Sequence, residues 1–348
     1  DVYKRQLEGI AETTSSLLKL YSGYLSDKIG KKKMLTLLGY LVSNLTRPLI
    51  GIASSPVAVL FLRFADRIGK GIRTSPRDAI VASVTDEKNR GLAFGFHRSM
   101  DNMGALLGAF AGFVLLNYAG LEIKTIFILV IIPGTLSVLS VIFGVKSAKA
   151  DIKTGDQKIS LSLAPFTGNF KKYLFVVGLF TLGNSSDAFL LLKAKECGVS
   201  DGYIPLLWMI LSLVRSIFSV PAGIISDKIN RRKVIITGWL IYAAVYIGFA
   251  YSTKIWHIWG LFCIYGFYYA LTEGVEKAFV ADLVSEEKRG TAYGMYNFIV
   301  GILALPSSLI CGLLWQNFGS LYALGFGALL AVVSSFLLVG VKDEKVKG

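Results

Sequence analysis

With two histidines and three cysteines in 348 residues, the chain has little to offer a metal ion or a redox centre. Cys197, Cys263 and Cys311 stand in or beside apolar stretches, without a C-x-x-C pair or the spacing of a zinc site. His97 and His257 are too few for a histidine-based metal centre. Acid is also scarce, with 23 Asp and Glu against 37 Lys and Arg, and charge of either sign makes up only 17% of the residues. A phosphate-gripping loop is missing. Gly69-Lys70-Gly71 comes nearest, but G-x-x-x-x-G-K-[ST] needs Gly where Phe64 stands and Ser or Thr where Gly71 stands. No cofactor, ATP drive or enzyme chemistry is therefore expected.

Apolar length is what the chain has in plenty. Hydrophobic residues make up 53% and the mean hydropathy is +0.58. Runs long enough to cross a hydrocarbon core recur throughout. Eleven spans are expected, at 6–27, 34–52, 56–84, 91–117, 124–145, 172–196, 203–228, 233–252, 255–283, 290–315 and 320–341. The fold class is an all-α integral membrane protein. Residues 147–170 form the only long polar stretch and divide the chain into a first bundle (1–146), a linker and a second bundle (171–348). The sequons at Asn44 and Asn184 fall inside spans, which argues against glycosylation.

The excess of base reads as topology. Of the 37 Lys and Arg, 21 lie in the stretches 28–33, 86–90, 146–172, 228–233, 288–289 and 342–348, all on one side of the predicted membrane; the opposite loops hold Lys124 and Lys254. Basic loops stay in the cytosol, so nucleic acid is not the expected partner. The expected partner is the lipid bilayer. The C-terminus is expected in the cytosol of a plasma-membrane protein, with an external N-terminus, and the protein is expected to be a monomer.

One turn occurs twice. Gly23-Tyr24-Leu25-Ser26-Asp27-Lys28-Ile29-Gly30-Lys31-Lys32-Lys33 returns as Gly223-Ile224-Ile225-Ser226-Asp227-Lys228-Ile229-Asn230-Arg231-Arg232-Lys233. Gly23 and Gly223 permit close helix approach, and Asp27 and Asp227 stand where a carboxylate can meet a neighbouring helix N-terminus or a basic side chain. A second correspondence follows at an offset of 199. Arg77-Asp78 aligns with Glu276-Lys277, and Glu87–Gly95 aligns with Glu286–Gly294, keeping Arg90/Arg289, Gly91/Gly290 and Gly95/Gly294. The two pairs are expected to make charge contacts near a cytosolic gate.

This duplicated turn resembles the signature loop of the major facilitator superfamily of secondary transporters, which joins helices 2 and 3 and recurs between helices 8 and 9. The resemblance implies a two-bundle fold of 12 helices working by alternating access, and it adds a small-molecule substrate and protons as partners. It makes the first span here the family's helix 2, with helix 1 lacking. The bundles are then family helices 2–6 and 7–12.

The third span carries Arg63, Asp66, Arg67, Lys70, Thr74, Arg77 and Asp78 along one helical stripe, with Arg73 beside it. A charge facing lipid costs about 2.5–3.5 kcal/mol, so the stripe must face protein or water. Arg63-x-x-Asp66 followed by Gly69 is similar to the family motif R-x-x-Q-G-x-G, with Asp66 for Gln and Arg67 for the first Gly. The fourth span holds His97, Arg98, Asp101 and Asn102, then Gly104, Gly108 and Gly112. These glycines resemble the antiporter motif G-x-x-x-G-P-x-x-G-G, with Ala109 at Pro and Phe113 at the last Gly; close packing on a neighbouring helix is the alternative. His97 and Asp101 are spaced to exchange protons or to pack as a polar pair.

Further ionisable or polar residues in spans are Glu8, Glu12, Lys19, Asn184, Asp187, Arg215, Glu273, Glu276 and Lys277, each a site candidate by default. The candidate substrate-binding set is Glu12, Arg63, Asp66, Arg67, Lys70, His97, Arg98, Asp101, Asn184, Asp187 and Glu273. The gating set is Gly23, Asp27, Gly30, Arg77, Asp78, Gly104, Gly108, Gly223, Asp227, Glu276 and Lys277. Five cations against two anions around the charged stripe favour an anionic or zwitterionic solute, with Asp66, Asp101 or Asp187 carrying a proton. An amphipathic-cation exporter and a transporter-fold sensor without flux are the alternatives.

Overall fold

The computed structural model describes residues 2–145 and 163–342, with side chains from Glu12 onward. Most of the predicted linker, the tail beyond Lys342 and the Glu8 side chain lie outside the described residues. Among those described, all regular structure is helical. The helices are α1 (Val2–Ile29), α2 (Lys32–Ile52), α3 (Pro56–Ser83), α4 (Arg90–Asn117), α5 (Ile123–Leu129), α6 (Ile131–Leu139), α7 (Gly168–Gly183), α8 (Ala188–Glu196), α9 (Ile204–Lys228), α10 (Arg231–Tyr251), α11 (Ile255–Asp282), α12 (Arg289–Phe318) and α13 (Ser320–Val339).

Every expected span is helical, and two are interrupted. Span 124–145 is α5, α6 and a wide turn over Ser140–Gly144. Span 172–196 is α7 and α8, broken at 184–187. Among the described residues, eight segments are long and apolar enough on their own to cross a membrane. The other three, α1, α3 and α11, have the length but carry the charged and polar residues singled out above. Large side chains left bare, such as Phe61, Phe175 and Phe336 at 68–73% exposure, suit contact with lipid.

Local chemistry explains the boundaries. Ser55 accepts a hydrogen bond from Ala58 N at 3.1 Å with Pro56 opening α3, and Thr167 does the same for Phe170 N at 3.2 Å to open α7. Gly30 ends α1 in the left-handed region, φ 70°. Asn230, its counterpart, adopts φ −64° and caps α10 through Arg232 N at 2.9 Å. The same turn position is thus filled by two different devices.

The chain forms two compact units. The first comprises residues 1–84, 108–166 and 284–301, the second 85–107, 167–283 and 302–348. In the first, α3 packs on α1 and α2 through small residues. A side chain at Gly69 would meet the Gly39 carbonyl, and one at Gly71 would meet Leu18 and Ser15. In the second, α11 packs on α9 and α10, and α13 on α7 and α10. Its core is aromatic: Trp239, Tyr242, Tyr246, Tyr265 and Phe249 are fully buried, and Phe180 stacks on Trp239 at 4.5 Å.

Candidate transport site

Each signature turn holds a helix N-terminus by its aspartate. In the first unit, Asp27 accepts hydrogen bonds from Gly290 N at 3.0 Å, Thr291 N at 2.6 Å and Thr291 Oγ1 at 2.8 Å. In the second, Asp227 accepts from Gly91 N and Leu92 N, both at 2.8 Å. These donors belong to the first turns of α12 and α4, whose amides have no partner within their own helix and carry the positive end of the helix dipole. Close approach is possible because both faces are glycine. A side chain at Gly23 would strike the Gly290 carbonyl, and one at Gly223 would strike that of Gly91. A buried carboxylate so placed contributes up to about 2 kcal/mol.

The two clamps differ in their surroundings. Asp227 also pairs with Arg231 at 2.8 Å, and Arg231 bridges to Asp282 at 3.0 Å, which holds Arg90 at 2.8 Å. Arg231 further donates to the Glu87 carbonyl at 2.7 Å. Asp227, Arg231, Asp282 and Glu87 of this network line a cavity of about 890 Å³ together with Asp86, Lys88, Asn89 and Asn230. At the corresponding positions of the first unit stand Ser83 for Asp282 and Lys31 for Arg231. There Arg289 donates to the Ala82 carbonyl at 3.1 Å, and Lys32 lies 3.9 Å from Asp27.

On the α3 stripe the charges are partly matched. Glu12 lies 3.4 Å from Arg67 and 3.9 Å from Lys19. Arg47 of α2 holds Asp66 with two bonds, at 3.0 and 3.4 Å. Arg73 donates to Ser43 at 2.8 Å and lies over the Tyr40 ring at 4.5 Å. Arg77 reaches Asp78 at 3.3 Å within the helix. Among the described side chains of α1–α3 outside the 27–33 turn, seven cations (Lys19, Arg47, Arg63, Arg67, Lys70, Arg73, Arg77) stand with three anions (Glu12, Asp66, Asp78).

In the second unit a polar cluster forms where α7 breaks. Asp187 accepts from Tyr265 at 2.7 Å and from Tyr269 at 3.0 and 3.1 Å. Arg215 pairs with Glu273 at 2.7 Å and lies over the Tyr269 ring at 4.0 Å. Asn184 donates to Tyr268 at 3.3 Å. Three predicted residues (Asn184, Asp187, Glu273) thus come together. On α4, His97 and Arg98 each lie 3.7 Å from Asp101. Glu276 accepts from Trp239 at 3.0 Å, and Lys277 is buried. Beyond the helix's own nearby backbone, no described atom stands within 4 Å of a side chain built at Gly104, Gly108 or Gly112, so close packing of this glycine face, the alternative reading, is not seen among the described residues.

Sequence reasoning missed Arg47, Arg231, Asp282 and the tyrosines of α11. The 199-residue repeat already marked Arg90, Gly91 and Gly290 as corresponding positions. Tyrosines 265, 268 and 269 carried no spacing signal.

The profile of the Major Facilitator Superfamily matches residues 9–193 and 174–348. An uncharacterized MFS-type transporter of Methanocaldococcus jannaschii is 35% identical over 339 residues, which is 95% of this chain and 84% of that protein. A proton-coupled antiporter flippase, LtaA of Staphylococcus epidermidis, is 24% identical over 84% of this chain and 74% of its own length. Among solved structures, the human organic anion transporter MFSD10 superposes with a TM-score of 0.79 at 15% identity, covering 95% of this chain and 83% of that one. FucP in its outward conformation gives 0.73 at 14%, covering 98% and 90%. The chain belongs to the Major Facilitator Superfamily and is a multi-pass membrane transporter, not an enzyme.

Proposed function

We propose that this chain is a secondary active transporter moving a small anionic or zwitterionic solute by alternating access, coupled to protons. The observation that carries the substrate class is the α3 stripe, where Lys70 and the arginines outnumber the acids packed with them. In a low-dielectric, water-filled path such an excess draws anions, and guanidinium groups suit carboxylate or phosphate. Proton coupling draws support from the ionisable cluster at Asp187, and LtaA, a relative, carries the name of a proton-coupled antiporter. The two aspartate clamps are contacts of modest strength that a transport cycle can make and break. The halves of the transporter are 1–146 and 171–348 joined by 147–170, in the plasma membrane as a monomer, with the basic loops and the C-terminus cytosolic.

A second reading, export of amphipathic cations, draws on Glu12 neutralising both Arg67 and Lys19 and on the tyrosines around Asp187. The test is binding to purified protein of a monocarboxylate, a dicarboxylate, an amino acid and tetraphenylphosphonium. Arg67→Ala and Lys70→Ala should each abolish binding of the preferred anion while leaving the protein folded. Anion binding that survives both, or preference for tetraphenylphosphonium, overturns the anionic reading in favour of the exporter.

A further inference from the structure

The carboxylates in the membrane-spanning segments of the second unit are not equivalent. Glu273 is bonded to Arg215, Asp227 to Arg231, Asp282 to Arg90 and Arg231, and Glu196 to Lys193, while Glu276 accepts from Trp239. Asp101 has Arg98 and His97 nearby. Asp187 has no cation within ion-pair distance among the described residues; its partners are two tyrosine hydroxyls. It also stands at the N-cap position of α8 without capping that helix, its usual use there. Its carboxylate turns to α11 instead.

The hydroxyls around it have two complete arrangements. With Asp187 ionised, Tyr265 donates to Oδ1 and Tyr269 to Oδ2. The two hydroxyls also lie 3.3 Å apart. When Asp187 takes up one proton on Oδ1, it donates to the Tyr265 oxygen, Tyr265 turns its own proton to the Tyr269 oxygen, and Tyr269 still donates to Oδ2. Only hydrogens rotate, and no donor or acceptor of the ring is stranded.

The other groups near Asp187 are Arg215 on α9, Glu273 and Tyr268 on α11 and Tyr246 on α10. Arg215 sits over Tyr269, and its Nε is buried without a hydrogen-bond partner. An anion reaching that nitrogen meets two carboxylates while Asp187 is ionised, and one once it is neutral. We propose that Asp187 is the proton-binding residue of this transporter, and that its protonation opens Arg215 to an anionic solute. The inference rests on the proton-coupled reading above and gives it a residue.

Infrared difference spectra of the liposome-embedded protein, recorded across a pH titration, test it without a solute. Among the carbonyl stretches of protonated carboxyls that titrate, the unmutated protein should show one band that belongs to Asp187. The band should be absent in Asp187→Asn and kept in Glu273→Gln. Tyr265→Phe, which keeps the carboxyl, should shift the midpoint of the titration. No titrating band in the unmutated protein, a titrating profile in Asp187→Asn identical to the unmutated one, or loss of the same band in Glu273→Gln, overturns the assignment. A band that behaves as stated in a protein that moves none of the panel solutes contradicts the transport reading and leaves Asp187 as the proton site.

Discussion

At the scale of single residues, the clearest constraint is the space denied to a side chain at Gly23 and Gly223. Each glycine faces a backbone carbonyl in the first turn of the helix its turn holds, Gly290 of α12 or Gly91 of α4, which cannot swing aside as a side-chain tip can. Gly223→Ala should therefore cost about 1–3 kcal/mol, the usual range for overpacking, read as a lowered Tm in detergent. Gly104→Ala, with nothing described near its side-chain position, should leave Tm unchanged or raise it slightly through helix propensity. Equal losses in the two variants would show that close approach at the signature turn is not what the glycine provides. The same scale limits what a sequence can disclose. Asp27 and Asp227 could be assigned a helix terminus or a base as partner from their position alone. Which terminus could not be read, because the donors to Asp27 lie on residues 290 and 291, far along the chain.

At the scale of elements, the two clamps are built alike and braced differently. The Asp282 network ties together Arg90 and Arg231, whose side chains are 5% and 8% exposed. Asp282→Ala leaves Arg90 a distant Glu87 at 3.7 Å and Arg231 with Asp227 and the Glu87 carbonyl. Loss of one partner from a buried pair costs about 3–5 kcal/mol, and the surviving contacts place this variant toward the low end. Ser83→Ala, at the matching position of the first unit, should shift stability by less than about 0.5 kcal/mol. Chemical unfolding of both variants checks the contrast; equal effects would mean the network carries no weight. Element ends were legible where a sequence signal marked them: the glycine and lysine turns at 30–33, Ser55-Pro56 and Asn230. The breaks at 130 and 184–187 were not. The first has Pro133 one turn on, which cannot donate to the Leu129 carbonyl; the second holds no proline, and Asn184-Ser185-Ser186 reads as polar packing inside a span unless the tyrosine partners across the unit are known.

At the scale of the whole molecule, fold class and family were readable because a membrane leaves few options. Apolar runs of fixed length, basic loops on one side and a turn repeated at matched positions each limit the same arrangement. The chemistry of the site was readable only in part. Asn184, Asp187 and Glu273 follow from the rule that polar groups in spans are rare. Arg47 escapes because it matters only through Asp66, and the tyrosines escape because aromatic residues are common in such helices. The central claim is transport of an anionic or zwitterionic solute, and counterflow in proteoliposomes tests it most directly. Vesicles are preloaded with each of the four panel solutes, and uptake of the labelled species is followed with and without an inward proton gradient. The account predicts saturable counterflow of a carboxylate or amino acid, stimulated by the gradient and lost in Lys70→Ala. Counterflow of tetraphenylphosphonium alone, or no counterflow by protein that is folded and inserted, would contradict it.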